Sequence, residues 1–307
     1  MELFLGQEII DWCWVGHRSW VRIEPLIYQS IILPGSFHDD DAEQRFQLFS
    51  RTFNTGTKPK AFYMQYVKSI FSNAAWWENN SSSDFEVEFL SVCHASIENL
   101  ECWSEPCDKL NAAIRTMHFP KLKTLCINID LFPQGKHLFT YPVFQNVTHL
   151  DIGSHDAHQI TDWSSLESLR CLTHMRIQAV SDMSSNQAMD EVIKVASQAR
   201  RCFPPNLQYF VILINADLLW EAIIVKAPRR WGRFNAIRLG KFDRRILLGC
   251  FEGSGDFDVE EEDQEEINRY EELVAILPHP TEPKLEPWSA WEEVARIAGK
   301  REKNCNS

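Results

Sequence analysis

One six-residue arrangement of apolar and polar positions returns along the chain: apolar-x-x-apolar-x-apolar. It occurs at Ile97, Leu100 and Cys102; at Leu122, Leu125 and Ile127; at Val147, Leu150 and Ile152; and at Leu172, Met175 and Ile177. It returns at Leu207, Phe210 and Ile212, and again at Phe234, Ile237 and Leu239. A weaker copy starts at Val67 and passes through Ile70, but Ser72 takes its last apolar place. From Ile97 onward the copies start 25, 25, 25, 35 and 27 residues apart. The last two apolar positions of each copy alternate with polar ones, which is the signature of a short strand burying one face. Such a strand cannot hide that face alone, so the copies are expected to stack as neighbouring parallel strands.

The segments between the copies suit helical returns. Phe85 to Ile97 carries an apolar stripe at helical spacing, and Leu110 to Met117, Trp163 to Leu169 and Met189 to Arg201 also read as short helices. Pro120, Pro142, Pro204 and Pro205 stand just before strands, where they stop helices or guide turns. The expected fold class is therefore α/β, an irregular leucine-rich-repeat-like solenoid of parallel strands with helical crossovers. The period lies in or near the range of about 20–29 residues common to such repeats. The solenoid is assigned to residues 60–245, after a cap segment at 1–35 and before an acidic loop and C-terminal extension at 250–307. The pattern departs from the regular one, because no Asn follows the hexamer and the repeat length varies. A plain α/β domain with coincidental strand spacing is the alternative.

Composition supports a sizeable core: 44% of residues are hydrophobic, with 11 Trp and 19 Phe. No apolar run approaches the roughly 18 residues that a membrane span needs. The amino terminus, with Glu8 and Asp11 close behind Met1, lacks a basic segment followed by an apolar one. A cytoplasmic or nuclear protein without membrane partners is expected. Nine cysteines, none in a C-x-x-C pair, read as buried free thiols. The net charge of −12 is concentrated: residues 252–272 hold 11 acids and one base, so the rest of the chain carries about −2. Lys226 to Arg245 holds eight bases against Asp243 alone, and pairing with the acidic block is the expected role of that run. One short basic run on an acidic chain argues against nucleic acid as a partner.

A search for catalytic patterns returns little. Gly253-Ser254-Gly255 lacks nucleophile-elbow spacing. Gly56-Thr57-Lys58 has no second glycine at phosphate-loop spacing. The stretch from Asp256 begins like a calcium loop, but Glu261 and Ile267 occupy its glycine and bidentate-acid places. No enzyme and no cofactor is expected. His149 and His174 lie 25 residues apart and should stack on adjacent strands, with Asp151 and Arg176 two positions on. A metal there would meet no further ligand and would be repelled by Arg176. The expectation is instead an exposed polar face that binds a protein partner through Asn99, Glu101, Thr124, His149, Asp151, His174, Arg176 and Tyr209. His155 and His158 read as solvated.

The segment from Val15 to Leu33, with Arg18-Ser19-Trp20 followed by Glu24-Pro25-Leu26-Ile27-Tyr28, resembles the second half of an F-box. Phe144 to Leu150 and Leu172 to His174 carry further matches. Together with the repeats, the chain resembles the F-box and leucine-rich-repeat-like proteins of mushroom-forming fungi, loosely from residue 15 to about 240. The helix expected at Trp288 to Arg301 echoes the end of that family. The resemblance implies recruitment, with the F-box docking the adaptor subunit of a cullin-RING ubiquitin ligase and the repeats presenting a substrate. Trp20, Pro25, Leu26 and Tyr28 are the positions that would meet the adaptor. The opening Leu-Pro-x-Glu-type step of an F-box is missing, however, so the same residues could instead cap the open end of the stack.

Overall fold

The computed structural model describes residues 25–33, 40–72, 80–103, 108–133, 137–153, 160, 162–178, 185–216, 228–251, 275–276 and 289–306. It is an α/β fold divided into two compact units, residues 1–123 and 124–307. In the first unit the strands β1 (Ser30–Leu33), β2 (Ser69–Ser72) and β3 (Asn99–Cys102) pair in parallel and in chain order. The helices α1 (Asp40–Asn54), α2 (Lys60–Tyr66), α3 (Asn80–Cys93) and α4 (Asp108–Thr116) belong to this unit. Its core is largely aromatic. Phe53, Tyr63 and Phe89 are almost fully buried, and their rings meet each other and Phe85 edge-on or stacked at 5.2–6.0 Å. Gly56, at φ 69°, ends α1 in the left-handed conformation that its missing Cβ permits.

The second unit continues the pattern with β4 (Thr124–Asn128), β5 (His149–Gly153), β6 (His174–Gln178), β7 (Tyr209–Asn215), β8 (Ile246–Phe251) and β9 (Ala275–Ile276), again parallel and in chain order. Its helices are α5 (Ser185–Ala199), α6 (Pro228–Arg238) and α7 (Ser289–Asn306). Several returns are shorter than full helices: single 3₁₀ turns cover Leu138–Thr140, Pro142–Phe144 and Ser164–Ser168. The crossover expected as a helix at Trp163 to Leu169 is one of these, since five residues fit only a tight turn in a 25-residue repeat.

The hexamer predicted the register. Leu125 pairs with Leu150, which pairs with Met175, then Phe210; Ile127, Ile152, Ile177 and Ile212 run alongside. All fifteen apolar positions of the five copies starting at Ile97, Leu122, Val147, Leu172 and Leu207 are at most 4% exposed. A backbone ladder explains the recurrence. At the second hexamer position, the N–H of Lys68 donates to the carbonyl of Gln29, Glu98 to Lys68, Lys123 to Glu98, Thr173 to Thr148 and Gln208 to Thr173, at 2.7–2.9 Å. The hexamer is also preceded by a turn in four copies, in which Leu122, Val147, Leu172 and Leu207 donate to the carbonyls of Phe119, Phe144, Leu169 and Pro204. Phe119, Phe144 and Leu169 are buried and 25 residues apart, a second period carried by the same repeat.

Two copies deviate. The Phe234 to Leu239 hexamer is not a strand but the end of α6, and the strand paired with β7 is β8. Its first two apolar positions stand at i and i+3, which suits a helix face as well as a strand, and both Phe234 and Ile237 are buried. In the weak copy, Ser72 is buried, and its hydroxyl donates to the Glu86 carboxyl on α3 at 3.0 Å. The polar intruder therefore brings its own partner. Parallel pairing also extends beyond residues 60–245 on both sides, through β1, β8 and β9.

Candidate partner-binding face

Strand alternation puts Thr124, His149, His174 and Tyr209 in one row across β4 to β7, because their Cα atoms are register partners. Two residues on, Cys126, Asp151, Arg176 and Val211 form a second row on the same side. The opposite side carries Phe210, whose ring meets Trp163 and Phe203.

The histidine row stacks as the spacing predicts. The imidazoles of His149 and His174 lie 4.3 Å apart and 12° from parallel. The Thr173 hydroxyl donates to the Thr148 carbonyl at 3.0 Å and lies 2.8 Å from His174 Nδ1. With its one hydrogen committed, that hydroxyl accepts from His174 Nδ1–H, which assigns the lone pair of this ring to Nε2. Thr148 stands in the same relation to His149 Nδ1, at 2.9 Å. Burial holds the His149 pKa below its ordinary value. Burial, and then the charge of His149, bring His174 down to about 4. Both rings are accordingly neutral at pH 7.

The face is not open, which corrects the expectation of a solvent-exposed polar surface. Asp151 and Arg176 are 5% and 2% exposed and form a buried ion pair across β5 and β6. Thr124 is buried, and His149, His174 and Tyr209 are half-buried. Over His149, His174 and Val211 the cover is α7. Its Trp291 ring meets His149 at 5.7 Å and His174 at 5.0 Å, both edge-on. Val294 and Ile297 pack into one buried cluster with Val211, Leu213 and Leu247. Arg301, 5% exposed, donates from Nη1 to the Ile246 carbonyl at 2.9 Å. Alternation showed which residues share a side but carried no information on what covers it. The opposite charges of Asp151 and Arg176 at the repeat spacing were the signal that could have revealed burial.

The remaining predicted positions fall in the first unit. Asn99 is half-buried and donates to the Ser69 hydroxyl at 3.0 Å. Glu101 is buried in register with Phe71, so it too is not a solvent-facing position. Among the adaptor positions, Pro25 is half-buried and Leu26 is 66% exposed. Tyr28 packs edge-on against Phe62 and Tyr63 at 5.2 and 5.8 Å. Trp20, the rest of the F-box-like segment before residue 25, His155 and His158, and the acidic block at 252–272 lie outside the described residues.

Among the described residues, no group of three or more His, Cys, Asp or Glu side chains is arranged to hold a metal ion. No helix among them is long and apolar enough to cross a membrane. Cys93, Cys102, Cys126 and Cys250 are buried, whereas Cys171 is exposed, and burial pushes the Cys93 pKa up to about 12, which removes its nucleophilicity at neutral pH. No family model, no curated protein and no solved structure matches the chain.

Proposed function

We propose that this chain is a protein–protein interaction module, built as an irregular leucine-rich-repeat-like solenoid and working by binding rather than by catalysis. The observation that carries the reading is the backbone ladder at the second hexamer position together with the strand register that repeats from β4 to β7. Stacked repeats build extended surfaces whose general use is recognition; here α7 occupies the strand row over β5 to β8, which leaves the rest of the stack's surface for a partner. In this reading, which rests on the resemblance of residues 15–33 to an F-box, the module serves a cullin-RING ubiquitin ligase as the subunit that selects the substrate. Supporting this, Leu26 presents a large apolar side chain to solvent beside a Tyr28 anchored in the aromatic core. Ile32, Leu48 and Met64 add further exposed apolar side chains in the same unit.

Affinity purification of the full chain with mass spectrometry tests the reading. The ligase adaptor should co-purify with the native chain and be lost from Leu26→Glu, whose melting temperature should stay within about 1 °C because the side chain is exposed. Capture of other proteins without the adaptor would favour a second reading, a repeat-domain binding protein without ligase function. The packing of Tyr28 into the core favours that reading, since it is what a terminal cap requires.

A further inference from the structure

Five cations gather at the end of the second unit's sheet where β7 and β8 begin. Arg200 and Arg201 open the 3₁₀ turn Arg200–Cys202 that follows α5, and Lys241, Arg244 and Arg245 stand in the turn between α6 and β8. Arg245 ties that turn to the sheet, because its carbonyl accepts from the N–H of Phe210 on β7 at 2.8 Å. One carboxylate, Asp243, lies among them. Its Oδ1 accepts from the Arg245 backbone N–H at 3.0 Å and from Arg245 Nε at 3.1 Å. Its Oδ2 accepts from Arg245 Nη2 at 2.9 Å and lies 3.3 Å from Arg200 Nε. Burial opposes its charge, but the Arg245 hydrogen bonds and the two guanidinium charges hold its carboxyl below the ordinary value. Asp162 and Glu167, whose charges reach Cys202, border the patch on the side of the preceding repeat.

The two arginines are held in place without being saturated. The Arg200 guanidinium lies 5.0 Å over the Phe242 ring, and that of Arg245 lies 4.8 Å over Phe203. Stacking and a shared carboxylate fix both side chains, so little freedom is left to lose on binding. A guanidinium carries five N–H donors, and Asp243 engages Nε and Nη2 of Arg245 and Nε of Arg200. The Arg200 and Arg245 side chains are 49% and 33% exposed, which leaves further donors open to solvent. Arg201, Lys241 and Arg244 are exposed, and no carboxylate among the described residues pairs with them. The rings argue against nucleic acid. Base stacking needs an open aromatic face, whereas Phe203 already meets Arg245 and Phe210, and Phe242 carries Arg200. A net charge of −12 also repels a long polyanion, while a short acidic segment meets only the local excess of cations.

We infer that this patch docks an acidic segment of a partner protein, whose clustered carboxylates bridge Arg200 and Arg245 from outside as Asp243 does from within. Arg201, Lys241 and Arg244 extend the contact along the segment. The inference rests on the protein-recognition reading above and names the chemistry of the partner.

The test is fluorescence anisotropy on the full chain with a short fluorescein-labelled peptide of alternating Asp and Glu. The native chain should bind it saturably and lose affinity as salt rises from about 0.05 M to about 0.5 M. The same peptide with Asn and Gln in place of the acids should not bind. Arg200→Gln should weaken binding by about tenfold or more. If circular dichroism shows that variant unfolded, the triple variant Arg201→Gln, Lys241→Gln, Arg244→Gln carries the same expectation, since those three side chains are exposed. No saturable binding by the native chain, or a folded variant that binds as tightly as the native chain, would overturn the proposal. Tighter uptake of an oligothymidylate of equal charge would make the patch a nucleic-acid surface instead. Uptake that appears only after Glu260, Glu261, Glu262, Glu265 and Glu266 are changed to Gln would assign the patch to the chain's own acidic block, which overturns the proposal equally. The titration reads residues of the second unit, so its failure is distinct from a loss of adaptor capture through Leu26 in the first.

Discussion

Replacing Arg176 by Met decides between an open and a covered sheet face. The Arg176 and Asp151 side chains are 3% and 7% exposed, so both charges are out of water and depend on each other. Removing the guanidinium leaves the Asp151 carboxylate buried without its counter-charge, a loss of about 3–5 kcal/mol. Asp151→Leu strands Arg176 in the same way and should cost a similar amount. The double variant removes both charges and replaces them with apolar groups against Val211 and the α7 contact, so it should fall within about 1 kcal/mol of the native chain. The coupling from the cycle is then several kcal/mol, far beyond the roughly 0.2–1 kcal/mol of a solvent-exposed pair.

The assay is urea denaturation followed by circular dichroism, on the native chain, both single variants and the double. Repeating it at about 0.1 M and 1 M salt adds a second discriminant, because a buried pair is little screened whereas an exposed one is. Single variants that lose less than about 1 kcal/mol, or a coupling that vanishes in high salt, would refute the covered face and restore the open one.

Three further outcomes are expected. Below pH 6.5 the unfolded chain protonates His174 while the native ring stays neutral down to about 4, so stability should fall as pH drops through that interval and be flat above it. The interval is worth about 3 kcal/mol, reduced to about 1–2 kcal/mol because the ring is only half-buried; imidazole titration by NMR reads it, and a His174 that titrates near 6.5 would contradict it. Glu86 has the opposite sign. Burial raises its pKa from 4.5 to about 7 despite the Ser72 hydrogen bond, so its contribution falls as pH rises between those values, and Glu86→Gln should stabilise the chain by up to about 3 kcal/mol at pH 8 and hardly at all at pH 4. Equal effects at both pH values would show that the carboxyl is solvated. Finally, Ile152→Ala, at a fully buried hexamer position, should cost about 2–5 kcal/mol in the same denaturation assay, whereas Ile32→Ala, 37% exposed, should cost far less.

The strand stack was legible because the pattern that marks it is local and repeated. Each hexamer had to bury three positions, and 25-residue spacing left one way to align the three consecutive copies at Leu122, Val147 and Leu172. The hexamer at Phe234 failed because two apolar residues at i and i+3 are ambiguous between helix and strand, and α6 was settled by packing rather than by pattern. The candidate face was half legible. Thr124, His149, His174 and Tyr209 share a side, as alternation requires, but α7 covers His149 and His174 from far along the chain, and nothing in residues 149–176 encodes that contact. The helix itself could be anticipated from Trp288 to Arg301; its seat could not, because an apolar stripe says that a surface is needed and not which one.

The polar groups buried in the stack address a problem that the repeat creates. Near-identical hexamers can mispair by one whole repeat at little apolar cost, since every copy offers an aliphatic residue at the same places. Asp151 and Arg176 break that equivalence. Opposite Asp151 on its other side stands Cys126, and opposite Arg176 stands Val211, so only the native neighbours match charge with charge. A strand order that separated β5 from β6 would bury two unmatched ions, a penalty larger than any difference among the apolar contacts. Ser72 and Glu86 act likewise in the first unit, fixing α3 over β2 through a polar pair that no other copy can supply at its sixth position. The pair across β5 and β6 thus distinguishes those strands from their neighbours, and the side it occupies becomes the side that α7 must cover.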